Sequence, residues 1–300
     1  MKVVLFCGGL GMRLRDYSEA VPKPLVPVGN HPILWHLMKY YAHFGHKEFI
    51  LCLGWQGTAI KKYFLNYNEC LSNDFVLSGG GRKVDLFGSD IDDWKITFVD
   101  TGPTSNIGQR LKAVQRHVAG DEMFLANYTD GLSDVPLPEL IDFHLAHRDV
   151  ATFLAVKPVD TFHAVRFAED GRVTDINWVS QTDSWINAGF FVFQQEIFDY
   201  LENGEDLVAE PFRRLISRQQ LRAYKYAGFW ACMDTFKQKQ QLDDLAVRGG
   251  VPWAVWQRRS PVEQPATRSL AGQASNDGAE NDVITTNGTA QNNSLSRMPR

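Results

Sequence analysis

The sequence predicts an α/β fold, a mostly parallel sheet flanked by helices with antiparallel strands added in the second half. Three observations carry this. Short β-branched or aromatic runs alternate with helical periodicities up to about residue 259. A glycine-rich loop follows the first run directly. Beyond residue 150 the runs crowd together, with the hairpin signal Glu169-Asp170-Gly171-Arg172 between two of them.

The elements follow in order. Residues 2–6 read as a buried strand. Ile33, Leu34, Leu37, Met38, Tyr41 and Phe44 recur at helical spacing, and Gly45 supplies the stop. Residues 49–53 form a strand, Ile60, Tyr63, Phe64 and Tyr67 mark an amphipathic helix, and 96–99 form another strand. Leu111 and Val114 suit a short helix, 123–127 a strand that runs into Thr129-Asp130-Gly131, and 137–147 a helix. Strands are expected at 151–156, 165–168, 173–178 and 190–193.

The chain has 300 residues, with 31 basic against 35 acidic side chains and 12% aromatics. That balance excludes a nucleic-acid surface, and the aromatics exclude a wholly disordered chain. No apolar run approaches the ~18 residues of a membrane span, so a cytoplasmic location without membrane association is expected. The four cysteines, Cys7, Cys52, Cys70 and Cys232, form no C-x-x-C pair and read as reduced core thiols. His43/His46 and His144/His147 have helical spacing, but no third ligand accompanies either pair, and exposed or capping histidines are expected. After residue 259 the composition turns to Asn, Ser, Gly, Thr and Ala, so 1–259 is read as one catalytic domain and 260–300 as a disordered polar tail.

Chemistry enters at Cys7-Gly8-Gly9-Leu10-Gly11-Met12-Arg13-Leu14. Closely spaced glycines let backbone N–H groups approach phosphate, and Arg13 adds a planar fork of donors. Neither a dinucleotide fingerprint nor a Walker lysine is present. Shortly afterwards, Val21-Pro22-Lys23-Pro24-Leu25 presents an ammonium from a stiff segment.

The pairing of G-G-x-G-x-R-L with P-K-P-L resembles the sugar-1-phosphate nucleotidyltransferase family. Ile33-Leu34-Trp35-His36, Val99-Asp100-Thr101-Gly102, Gly108-Gln109-Arg110-Leu111-Lys112, Ile186-Asn187-Ala188-Gly189-Phe190-Phe191, Gly228-Phe229-Trp230 and Met233-Asp234-Thr235 are similar to its glucose-1-phosphate cytidylyltransferase branch. The resemblance covers everything except the tail. It implies a Rossmann-like, GT-A-type nucleotidyltransferase fold and a transfer of a nucleotidyl group, CMP from CTP in this branch, to a sugar 1-phosphate. Pyrophosphate is released and an NDP-sugar such as CDP-glucose forms, in sugar nucleotide and polysaccharide biosynthesis.

The resemblance also assigns roles. Gly8, Gly9, Gly11, Arg13 and Arg110 would surround the nucleotide, Lys23 would offset charge on the transferred group beside Arg13, and Asp130 and Asp234 would hold Mg²⁺. Asn187, Gly189 and His163 would face the sugar phosphate. A homo-oligomer is implied by family habit. Two carboxylates suffice for a hard cation that also takes substrate phosphates, and no protein nucleophile is needed.

The acceptor side departs from the family pattern. Where the family carries a Glu-Lys-Pro segment, residues 177–183 contain no lysine; Lys157, Arg166 and Lys225 are the nearest candidate substitutes, and the sequence does not choose among them. His163 stands where a glycine is common, and Met12 replaces a threonine. An alternative reading is therefore a catalytically weakened binding protein that acts as regulator or scaffold, although Lys23, Asp130 and Asp234 all favour turnover.

Overall fold

The computed structural model describes residues 1–9, 21–159 and 162–258. The chain opens with β1 (Lys2–Phe6), the short strands β2 (Pro27–Val28) and β3 (His31–Pro32), helix α1 (Ile33–His43), β4 (Glu48–Leu53) and α2 (Gly57–Leu65). A hairpin of β5 (Phe75–Ser78) and β6 (Lys83–Leu86) precedes β7 (Lys95–Asp100), α3 (Ile107–Ala113), α4 (Gln115–Val118) and β8 (Met123–Tyr128). Then come β9 (Gly131–Ser133), α5 (Leu137–His147), β10 (Ala151–Val156), β11 (His163–Phe167), β12 (Val173–Trp178) and β13 (Ile186–Gln194). The described chain finishes with α6 (Glu210–Ser217), β14 (Leu221–Tyr226), β15 (Trp230–Cys232) and α7 (Phe236–Val247).

Seven strands form the central sheet in the order β14-β10-β13-β8-β1-β4-β7. Every neighbouring pair is parallel except those made by β13, which runs antiparallel to both β8 and β10. The sheet buries both faces because its strands are apolar at successive positions. Val3 and Leu5 point into one core with Phe49, Leu51, Leu125 and Phe190; Val4 and Phe6 point into the other with Ile50, Phe124 and Phe191. Helices α1, α2, α5 and α7 cover the first face, and α3, α4 and α6 the second.

Most sequence expectations hold. Gly45, at φ +84°, ends α1 as expected, its N–H donating to the Ala42 carbonyl. The 190–193 run is the buried half of a strand that begins at Ile186. Two of the elements with no expectation attached are largely polar. β14 is an edge strand that keeps Arg222 and Lys225, and α7 buries little beyond Leu242 and Lys239, so neither shows an apolar stripe. Of the four cysteines, Cys7 and Cys52 are buried, whereas Cys70 and Cys232 are only half-buried, which corrects the reading of all four as core thiols.

The histidine pairs serve the fold. His144 is fully buried, 2.8 Å from Thr152 Oγ1 and 3.0 Å from Gln194 Nε2, so it is a core residue and neither exposed nor a cap. His147 Nδ1 lies 2.8 Å from the Phe143 carbonyl, and His46 Nδ1 lies 3.2 Å from the terminal amine. No group of three His, Cys, Asp or Glu side chains among the described residues is arranged to hold a metal. No helix among them is long and apolar enough to cross a membrane. The expected tail, 260–300, lies outside the described residues.

Candidate active site

The strand order reverses beside β1, with β4 on one side and β8 on the other, and open α/β sheets bind ligands beyond the carboxyl ends of the strands at such a point. The residues leaving β1 there are Cys7, Gly8 and Gly9. Gly11 and Arg13 lie outside the described residues.

Lys23 reaches the same edge. Pro22, at φ −65° and ψ 147°, feeds a single 3₁₀ turn at Lys23–Leu25, closed by a 2.8 Å bond from Leu25 N–H to the Pro22 carbonyl, while Pro24 is buried and anchors the turn. From it the Lys23 ammonium donates to Asp130 Oδ2 at 2.7 Å and to Asp234 Oδ1 at 2.5 Å. Burial alone would push this ammonium down. Asp130 and then Asp234 outweigh that effect, so its pKa stands above the usual lysine value.

The two aspartates meet through backbone pairing. Asp130 follows β8, and β9 begins at the next residue; β9 pairs antiparallel with β15, Gly131 opposite Cys232, and Met233 N–H donates to the Asp130 carbonyl at 2.8 Å. Asp234 comes next in the chain. Its own N–H is held by Gln238 Oε1 at 2.9 Å, and Thr235 with Gln238 forms the capping box that starts α7. On the other side, the buried Thr129 hydroxyl donates to the Phe6 carbonyl at 3.0 Å, tying the exit of β8 to that of β1. Two carboxylate oxygens thus converge on one cation, no more than about 5 Å apart. A pair of hard oxygen donors already sharing a positive charge suits a divalent cation that completes its shell with phosphate oxygens.

Arg110 lies beneath Gly8. It is 1% exposed, and its Nη1 donates to Thr101 Oγ1 at 2.7 Å and to the Leu53 carbonyl at 3.2 Å. A Cβ added at Gly8 would stand 2.1 Å from the guanidinium, and one at Gly54 2.7 Å from it. Among the described residues no carboxylate pairs with Arg110, and its Nε has no hydrogen-bond partner. Burial accordingly draws its pKa below the usual arginine value.

Asn187 and Gly189 lie on β13 beside β8. Asn187 Oδ1 accepts from Gly189 N–H at 2.9 Å. Gly189 has φ +80°, and a Cβ there would stand 2.5 Å from the Tyr128 ring, so glycine is required on both counts. These two residues join the Asp130 edge. His163 does not: it is exposed on the β11–β12 ribbon, its ring 3.9 Å from that of Trp178. Arg166 is exposed on the same ribbon, whereas Lys157 and Lys225 lie at the edge of the sheet that carries Asp130.

Sequence reasoning gave no role to Thr101, Thr129 and Tyr128, which hold Arg110, tie β8 to β1 and pack against Gly189. Each is a polar residue at the end of a strand whose interior is apolar, and that placement was the available signal.

The nucleotidyl transferase family model matches residues 2–238. The chain is 38% identical over 259 residues to glucose-1-phosphate cytidylyltransferase of Salmonella typhi, covering 86% of this chain and all of that one. It is 27% identical to mannose-1-phosphate guanyltransferase of Gibberella zeae over 81% of this chain and 62% of that one. A solved structure of UDP-glucose pyrophosphorylase with UDP-glucose superposes with a TM-score of 0.61 at 13% identity, covering 83% of this chain and 98% of that chain, a likeness of fold. With the family model matching residues 2–238 and 38% identity across the whole of the Salmonella relative, the chain belongs to the nucleotidyl transferase family and is an enzyme of the sugar-1-phosphate class within it.

Proposed function

We propose that this enzyme transfers CMP from CTP to a sugar 1-phosphate, glucose 1-phosphate being the first candidate, with Asp130 and Asp234 holding Mg²⁺. The observation that carries the reading is the convergence of Lys23, Asp130 and Asp234 beside the exit of β1. The preference for CTP rests on the likeness to a glucose-1-phosphate cytidylyltransferase.

In the reaction, a phosphate oxygen of the sugar 1-phosphate forms a bond to the α-phosphorus of the triphosphate while the bond to the β-phosphate oxygen breaks, and pyrophosphate leaves. The protein's task is positioning and charge neutralisation. A bound divalent cation supplies further neutralisation of phosphate charge. Lys23 is tied to both carboxylates; were those oxygens given to a cation, its ammonium would be free to neutralise the α-phosphate of the transferred nucleotidyl group. Gly8 and Gly9 let the triphosphate approach the backbone, and the buried charge of Arg110 lies directly below Gly8. Asn187 and Gly189, against Tyr128, frame the acceptor side. Residues 1–259 form the catalytic unit, a boundary supported by the 259-residue match that spans the whole Salmonella relative. A cytoplasmic, homo-oligomeric enzyme fits this role.

The test is pyrophosphate release with Mg²⁺, each of CTP, UTP, dTTP and GTP, and a panel of sugar 1-phosphates. CTP with glucose 1-phosphate is expected to give the highest kcat/KM. Absence of release with every pair would sink the reading.

A further inference from the structure

Lys157, just past the end of β10, Trp185, just before β13, and Lys225 of β14 meet at one point. Register explains how. Ala155 of β10 is paired with Asn187 of β13 on one side and with Lys225 of β14 on the other, so these three share a row and a face of the sheet. Lys157 follows Ala155 by two residues, and Trp185 precedes Asn187 by two, which continues the same face past the ends of the strands. The contacts agree: the Lys157 ammonium lies 4.7 Å from the centroid of the Trp185 ring, and that of Lys225 lies 5.2 Å from it. Lys157 also donates to the Thr182 carbonyl at 2.5 Å.

Neither lysine forms an ion pair among the described residues, although twelve of the ion pairs recorded elsewhere in this chain bring Lys or Arg to a carboxylate at 3.0 Å or less. Two ammonium groups share a single indole. Each is attracted to the ring face, while they repel one another, so the cluster lacks negative charge. Its position says what would supply it. Asn187 is in the same row, on the strand that pairs with β8, and Asp130 lies two residues beyond the end of β8. β10 is two strands from β8, about 10 Å at the usual strand spacing, a span that a lysine stem and a phosphate cover between them.

We propose that Lys157 and Lys225, held on Trp185, form the clamp for the phosphate monoester of the acceptor. This rests on the sugar 1-phosphate reading above. It also accounts for residues 177–183 carrying no lysine: the positive charge comes from the ends of β10 and β14 instead.

The variants Lys157→Gln, Lys225→Gln, their combination and Lys157→Arg test the clamp in steady-state pyrophosphate release, with glucose 1-phosphate and CTP varied separately. Tryptophan fluorescence is titrated alongside with glucose 1-phosphate, with glucose as control, with and without a non-hydrolysable CTP analogue. Each glutamine variant is expected to raise the acceptor KM about tenfold, with the KM for CTP and the melting temperature unchanged and Lys157→Arg close to wild type. Wild-type fluorescence should respond to glucose 1-phosphate and not to glucose, and Trp185→Phe should abolish the response. An acceptor KM unchanged in the double variant, or a parallel rise in the KM for CTP, overturns the clamp. If the wild type releases no pyrophosphate from any substrate pair, the transfer reading fails separately. Fluorescence then decides the clamp: a phosphate-dependent response lost in Lys157→Gln upholds it, and no response rejects it.

Discussion

Gly8 and Arg110 fit together so closely that a single methyl group on Gly8 would stand 2.1 Å from the guanidinium. The side chain cannot retreat freely, because Thr101 Oγ1 and the Leu53 carbonyl hold its Nη1 from below. Gly8→Ala should therefore expel Arg110 from its notch and raise the KM for the nucleotide about tenfold. Non-additivity is the sharper check. In an Arg110→Ala background the notch is empty, and adding Gly8→Ala should cost little more. Nucleotide KM values across the four-member cycle measure this; strictly additive effects would show that the two residues act separately.

Lys23→Ala and Asp130→Asn should each lower kcat for pyrophosphate release by about a thousandfold or more, the scale of losing a charge that stabilises the transition state. Removing Lys23 also leaves Asp130 and Asp234 facing each other without their shared cation. Lys23→Ala is expected to gain thermal stability on adding Mg²⁺ by a larger margin than wild type, because the carboxylates no longer have to exchange partners. Melting curves with and without Mg²⁺ check this, and an equal or smaller gain in the variant would contradict the exchange.

His36 makes folding sensitive to acid. Its Nε2 is 2.9 Å from the Val28 carbonyl and its Nδ1 accepts from the Trp253 indole N–H at 3.2 Å, an arrangement that requires the neutral ring with the proton on Nε2. Burial pulls its pKa from 6.5 down to about 4. Between those values the unfolded chain binds a proton that the folded one refuses, so stability is full above pH 6.5 and falls toward pH 4, by about 3 kcal/mol from this group. His46, lowered to about 4 by burial and then by the terminal amine, contributes with the same sign. Denaturant midpoints at pH 7 and pH 4.5 should differ less in His36→Gln than in wild type; an unchanged difference would remove His36 as the cause.

A chain ending at Arg259 should melt cooperatively and keep wild-type kcat/KM. Calorimetry and the pyrophosphate assay on that truncation measure both, and loss of either would move the boundary of the catalytic unit.

Much of this was legible beforehand because it depends on local chemistry. Gly45 had to end α1, Pro22 and Pro24 had to stiffen the approach to Lys23, and Asp130 had to follow an apolar strand. The positions of Arg110, Lys157 and Lys225 were not legible, because they depend on register between strands far apart in the chain. Nothing near Arg110 announces that Thr101 and Leu53 will receive it. Nothing near Trp185 announces two lysines from residues 157 and 225. β9 and β15 were hidden for another reason: three residues each give no periodicity, yet their pairing brings Asp130 and Asp234 together.

Because β13 runs against its neighbours, Trp185 and Asn187 stand at a strand entrance, while Gly8 and Asp130 stand at strand exits. The two groups share an edge of the sheet but belong to separate connections. A chimaera that takes the connection from β12 into β13 from a relative would exchange the approach to the sugar side and leave the exits of β1 and β8 covalently untouched. With the acceptor held as proposed, antiparallel insertion of one strand would make the choice of acceptor transplantable and separable from the choice of nucleotide.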